Sequence, residues 1–122
     1  FFFCMKLFNR ENVNKESNKG GVYAFYDKNG KRIYAGRASG KVGEPWGDNP
    51  NGGRFRYGLR HRLQSYYQKD DYSEHPTKES LRNDIEFYKV REIANKKLRR
   101  STEKQWKNGN KHNHKKGDGH GH

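Results

Sequence analysis

At 122 residues the chain has room for one hydrophobic core and not for a second. It is 29% hydrophobic and 34% charged, and its 27 Lys and Arg against 14 Asp and Glu give a formal net charge of +13. No apolar run approaches the ~20 residues that a bilayer crossing needs, which excludes a transmembrane helix. A single cysteine, Cys4, excludes a disulfide framework.

Leu, Ile, Val and Phe together number 19 of 122, a share low enough to raise disorder. Eight Tyr, seven Phe and two Trp argue the other way, because each buries a large area and together they can build a small core. The opening Phe1-Phe2-Phe3-Cys4-Met5 is too short, and lacks the basic leader, to read as a secretory signal, so a reducing, cytoplasmic location is the expectation. A small domain this basic is expected to meet a polyanion, most commonly nucleic acid.

In chain order, residues 1–19 read as a loosely attached lead-in ending in a polar run. Two strands follow, from Val22 to Tyr26 and from Ile33 to Gly36, around Asn29-Gly30, the strongest short-range hairpin signal. Residues 37–58 hold six Gly with Pro45, Trp46 and Pro50, and read as one long loop. Leu59, Leu63, Tyr66 and Tyr67 then fall at helical spacing, and that helix should end before Asp70-Asp71.

A second short helix is expected after His75-Pro76-Thr77, with Leu81 and Ile85 on one face. Phe87 to Ile93 reads as a third strand. A last helix runs from about Asn95 to Trp106, with Ala94, Leu98, Thr102 and Trp106 as its apolar stripe. The Gly/His-rich end, with His112, His114, His120 and His122, reads as flexible polymer rather than a zinc site, because its glycines hold no fixed geometry. The expected fold is α/β: a three-stranded antiparallel sheet flanked by helices, in the order β-β-α-(α)-β-α, over residues 20–113, with 114–122 as the tail.

A two-residue type I′ turn at Asn29-Gly30 pairs Phe25 with Tyr34 and Tyr23 with Gly36, so both tyrosines share one face as diagonal neighbours. A four-residue loop would set them directly opposite. Only an odd-length loop with a bulge is expected to separate them.

Gly21-Val22-Tyr23 and Tyr34-Ala35-Gly36, on either side of such a turn, resemble the paired signature of the GIY-YIG nuclease family, with Val22 and Ala35 in place of isoleucines. The order of later residues is similar too. In the family, a helix after the second tripeptide carries an Arg with an aromatic or His four residues on, as Arg62 and Tyr66 stand here. A later helix carries a metal-binding Glu and then an Asn, which Glu103 and Asn113 resemble, with Asn110 or Asn108 as alternatives for the Asn. The resemblance spans about residues 20–113.

The resemblance implies a Mg²⁺- or Mn²⁺-dependent endonuclease acting on double-stranded DNA; cutting both strands with one small site calls for two active sites, so a homodimer on DNA is an expectation. It makes Tyr23, Tyr34, Arg62 and Glu103 the catalytic set, with Gly21, Gly36, Tyr66 and Asn113 in support. Hydrolysis of a phosphodiester needs an activated water and positive charge on the phosphate. Glu103 offers the hard oxygen that Mg²⁺ takes, and Glu92, inside the third strand, is the reserve. Arg62, at the edge of a buried stripe, offers a guanidinium that clamps a phosphate with two donors, and Arg60 is the alternative if the register is off by two.

Tyr23 is the expected base and Tyr34 its hydrogen-bonding support, with Arg62 and the cation lowering a phenol pKa that is otherwise too high. Arg37, Arg54, Arg56 and Arg60 are the expected nucleic-acid contacts. A basic binding module on the same scaffold, without catalysis, is the alternative; a surface pair of Glu103 with Arg99 or Arg100 would fit it.

Overall fold

A computed structural model describes residues 5–40, 58–67 and 76–113, and for 76–79 the backbone course alone. Cys4, Arg54, Arg56, most of the 37–58 loop, Asp70-Asp71 and the tail from His114 lie outside the described residues. The elements in order are β1 (Lys6–Leu7), α1 (Arg10–Asn14), β2 (Gly21–Tyr26), β3 (Arg32–Ala38), α2 (Leu59–Gln64), α3 (Pro76–Asp84), β4 (Phe87–Glu92) and α4 (Lys96–Lys107).

The sheet is antiparallel and has four strands, in the order β1-β4-β2-β3, rather than three. The extra strand comes from the segment expected to be a loose lead-in. Its attachment is physical: Val13 of α1 is fully buried, and Glu16 accepts from the Tyr88 hydroxyl and pairs with Lys6 at 2.8 Å. The polar run after it supplies backbone acceptors, with the carbonyls of Lys19 and Ser17 taking the first amides of α2.

Strand β2 is buried along its whole length because it lies inside the sheet with helices on both faces. On one face Tyr23, Phe25 and Tyr88 pack with Val13, Leu59, Leu63, Tyr66 and Leu81, contributed by α1, the α2 segment and α3. On the other, Ala24, Tyr26 and Ala35 meet Met5, Phe87 and Trp106, and α4 lies across β2 and β3 there. Burying each large side chain contributes roughly 1.5–3 kcal/mol, which is how few apolar residues suffice when many are aromatic.

The hairpin differs from the expected type I′ turn in a way that matters. Only Gly30 has positive φ, +79°, and its amide bonds the Asp27 carbonyl at 2.9 Å. The Asp27 carboxylate accepts from the amides of Asn29 and Lys31, both at 2.9 Å, so an Asx turn holds the loop. The loop is therefore odd-length, yet a bulge at Ile33 lies between the turn and the tyrosines and restores the register. Phe25 pairs Tyr34 and Tyr23 pairs Gly36, and the two tyrosines are not separated.

The buried face of α4 keeps Thr102 and the half-buried Trp106 of the expected stripe and differs at Leu98 and at two charged residues. Leu98 is 50% exposed, while Arg99, Thr102 and Glu103 are buried. Polar groups win this face because they are partnered: the Arg99 guanidinium donates to the carbonyls of Ile93 (3.0 Å) and Ala94 (3.1 Å), tying the start of the helix to the end of β4. Asn95 caps the helix through the Leu98 amide at 2.9 Å. Among the described residues, no helix is long and apolar enough to cross a membrane.

Candidate active site at the edge of the sheet

Among the described residues β3 is the last strand of the sheet, and its outer edge is partly covered by His112 and Asn113. On one side stand three phenols. Tyr23 comes from β2, Tyr34 from β3, and Tyr66 from the turn that follows α2, held there by its amide to Leu63 and by Arg82 Nε donating to its carbonyl at 2.7 Å. Helix α2 stops at Gln64, so Tyr66 is not helical as its spacing suggested. The ring centroids of Tyr23 and Tyr34 are 6.4 Å apart, and each lies 6.1 Å from that of Tyr66. The Tyr23 and Tyr66 hydroxyls share a hydrogen bond of 3.0 Å.

Both Tyr23 and Tyr34 are driven well above the ordinary phenol pKa. Burial is the chief cause for each; the neighbouring phenols add to it, the Glu103 carboxylate also raises Tyr34, and Arg62 opposes the rise in both. Here desolvation outweighs the one guanidinium; the expectation of Tyr23 as base also relies on the charge of a metal ion. As placed, both phenols keep their protons.

Arg62 sits in the last turn of α2, where its charge suits the helix dipole. Its Nε is buried without a hydrogen-bond partner, a donor left available at a wall of tyrosines. Among the described residues, Arg60, two residues earlier, makes a long contact of 3.5 Å to the Glu16 carbonyl.

Glu103 reaches the same edge from the opposite face. Its side chain is 3% exposed, its Oε1 accepts from Arg37 Nη1 at 2.5 Å, and Lys107 Nζ stands 3.4 Å from its Oε2. That second oxygen is buried with no hydrogen bond. Neither Arg99 nor Arg100 pairs with it, and the pair is enclosed rather than on the surface. Arg37, expected as a nucleic-acid contact, is taken up by Glu103. The reserve Glu92 is exposed on β4, with β2 between it and β3, and accepts from Ser17 Oγ at 2.7 Å.

The glycines and asparagines place these groups. A Cβ on Gly36 would come within 2.4 Å of the Tyr23 hydroxyl, and one on Gly21 within 2.2 Å of the Arg91 carbonyl oxygen. Asn113 Oδ1 accepts from the Ala35 amide at 2.8 Å, and its Nδ2 donates to the Ala35 carbonyl at 3.1 Å. Asn110 accepts from Arg32 Nε at 3.1 Å and donates to Asn113 at 2.9 Å, so the two asparagines act together. Asn108 only caps α4.

Sequence reasoning missed Lys107 and His112. Lys107 was visible in principle as the residue four beyond Glu103. His112, expected in flexible polymer, is buried; its amide bonds the Ile33 carbonyl at 2.9 Å and its ring bonds Asp84 at 2.9 Å. Nothing in the local pattern signalled that.

A hydrated Mg²⁺ takes one or two carboxylates and completes its shell with water and phosphate oxygens. The orphaned Glu103 oxygen fits one such ligand. Among the described residues no cluster of three or more His, Cys, Asp or Glu could hold a metal alone. No protein-family model matches the chain, and a search of curated proteins returns no significant match.

Proposed function

We propose that this chain is a metal-dependent endonuclease that hydrolyses DNA phosphodiester bonds, built as the GIY-YIG resemblance implies. The observation that carries the reading is the gathering, at the β3 side of the sheet, of three phenols, an arginine whose buried Nε has no hydrogen-bond partner and a buried glutamate whose second oxygen accepts no hydrogen bond. A polyanion suits the +13 charge.

In this reading Arg62 donates to a non-bridging phosphate oxygen and stabilises the charge that develops there. Tyr23 and Tyr34, protonated, orient the attacking water and the phosphate by hydrogen bonds; for Tyr23 to act as the base, its phenol must first give up its own proton to solvent, which its burial opposes. Glu103 would hold a Mg²⁺ or Mn²⁺ ion, which supplies charge neutralisation on the phosphate when bound. Asn113 keeps the edge of β3 in register beside Tyr34 and Gly36.

The test is incubation with supercoiled plasmid, with and without Mg²⁺. Metal-dependent nicked or linear product supports the reading. Binding without any product favours the second reading, an inactive nucleic-acid-binding module, for which the raised phenols and the ion-paired Glu103 also speak.

A further inference from the structure

We propose that Arg37 is a built-in stand-in for the metal ion: it occupies the Glu103 carboxylate when no nucleic acid is present, and a divalent cation binds only when Arg37 leaves. This inference rests on the nuclease reading of the site.

Three observations carry it. The Glu103 carboxylate is almost wholly enclosed, and its closest partner is the Arg37 guanidinium, itself only 17% exposed. A buried carboxylate without a counter-charge is costly, so some cation must always sit there. Arg37 comes from β3, one residue after Gly36, so the strand that carries Tyr34 also carries the charge that shuts the carboxylate.

The local charge balance sets an order of binding. Arg37 and Lys107 both stand against one carboxylate, an excess of positive charge that repels Mg²⁺ and attracts a phosphate. An arriving phosphodiester gives the Arg37 guanidinium a second anion to pair with, and a fork of donors suits phosphate as well as carboxylate. Release of Arg37 then bares Oε1 beside the already unbonded Oε2. The site admits the polyanion first and the metal second, which keeps the protein from holding an active metal in the absence of DNA.

The experiment measures Mg²⁺ binding to the full chain without DNA, by calorimetry and by the shift of the melting midpoint with Mg²⁺ concentration. Mg²⁺ is the probe because histidines of the tail compete poorly for a hard ion. Wild type should show little binding. Arg37→Gln should bind at least tenfold more tightly and gain a larger Mg²⁺-dependent midpoint shift. Arg37→Gln combined with Glu103→Gln should lose that gain.

Lys107→Gln, at a partly exposed position, should tighten Mg²⁺ by a smaller factor and serves if Arg37→Gln folds poorly. Equal Mg²⁺ affinity in wild type and both single variants overturns the proposal. So does a gain that survives loss of Glu103. Plasmid cleavage by wild type with no gain in the variants sinks this inference and leaves the nuclease reading standing. The gain without any cleavage does the reverse.

Discussion

The Tyr23 hydroxyl lies over the Cα of Gly36, its cross-strand partner, at a distance that leaves no space for a methyl group. The bare backbone lets the ring lie across the edge strand and still reach Tyr66 at 3.0 Å. Gly36→Ala should therefore push the phenol away and cost about 1–3 kcal/mol, the usual penalty of overpacking. Tyr23→Phe keeps the ring and loses only a hydrogen bond, about 0.5–1.5 kcal/mol. Chemical denaturation of the two variants checks the order; a Gly36→Ala protein as stable as wild type would mean the ring has other room.

Asn113 behaves as a one-residue strand, offering the Ala35 backbone both a donor and an acceptor. Asn113→Ala should expose that edge and cost about 1–2 kcal/mol for two hydrogen bonds. Amide exchange reads the effect locally. The Ala35 amide should exchange faster, while that of Ala24, its partner inside the sheet, stays protected. Unchanged exchange at Ala35 would assign its protection to something other than Asn113.

Local chemistry is what the sequence displays, and it carried the reading as far as local chemistry goes. The aromatic alternation of β2 and β3, the Asn29-Gly30 turn and the Leu59/Leu63 spacing each follow from neighbours along the chain. The bulge at Ile33 is not visible in that way, because the Asp27 side chain selects the loop and the bulge compensates for it. β1 is two residues long and exists only because β4 offers an edge. The inward face of α4 only partly follows a hydrophobicity pattern, since Glu103 is buried by a partner far away in sequence and Arg99 by the carbonyls just after β4. Tyr23, Tyr34, Arg62 and Glu103 are singled out through a resemblance, and the Arg37–Glu103 pair leaves no local signal at all.

Alkaline pH should unfold this protein through its tyrosines. Tyr23 and Tyr34 have folded pKa values raised above the ordinary phenol value of about 10, mainly by burial. A raised folded pKa gives stability that is fully present below the unfolded value and is lost as pH rises beyond it. Stability should hold to about pH 10 and fall above it, with the buried phenolate absorbance appearing together with loss of structure. Tyr23→Phe should flatten that alkaline limb. A phenol that ionises reversibly near neutral pH in the folded protein would restore Tyr23 as a base.

Binding to double-stranded DNA should weaken steeply with salt, because many Lys and Arg contacts release condensed counterions. Arg62→Ala should leave most of that affinity, which is shared over a surface of +13, while cleavage is lost. Removing the guanidinium also removes a buried donor that lacks a partner, so the fold should tolerate the change. Gel retardation over a salt series, beside plasmid cleavage, separates the two. Equal losses of binding and cleavage would reduce Arg62 to a positioning contact.

Glu103→Gln gives the sharpest division between catalysis and affinity. A carboxylate near a phosphate repels it, so the amide should keep or improve DNA binding while removing the hard anionic oxygen a Mg²⁺ ion needs. The amide oxygen can still accept from Arg37, which preserves the contact between α4 and β3, and a circular dichroism melt should confirm that the fold survives. Cleavage should fall by orders of magnitude, because metal stabilisation of the transition state is worth several kcal/mol. Glu92→Gln is the matched control. Its carboxylate is exposed on β4 and engaged by Ser17, on the far side of β2 from the tyrosines, so most activity should remain. A dead Glu92→Gln beside an active Glu103→Gln would move the metal site to the other end of the sheet. Full activity in both would remove the metal ligand from the proposal and leave the basic surface as a binding module.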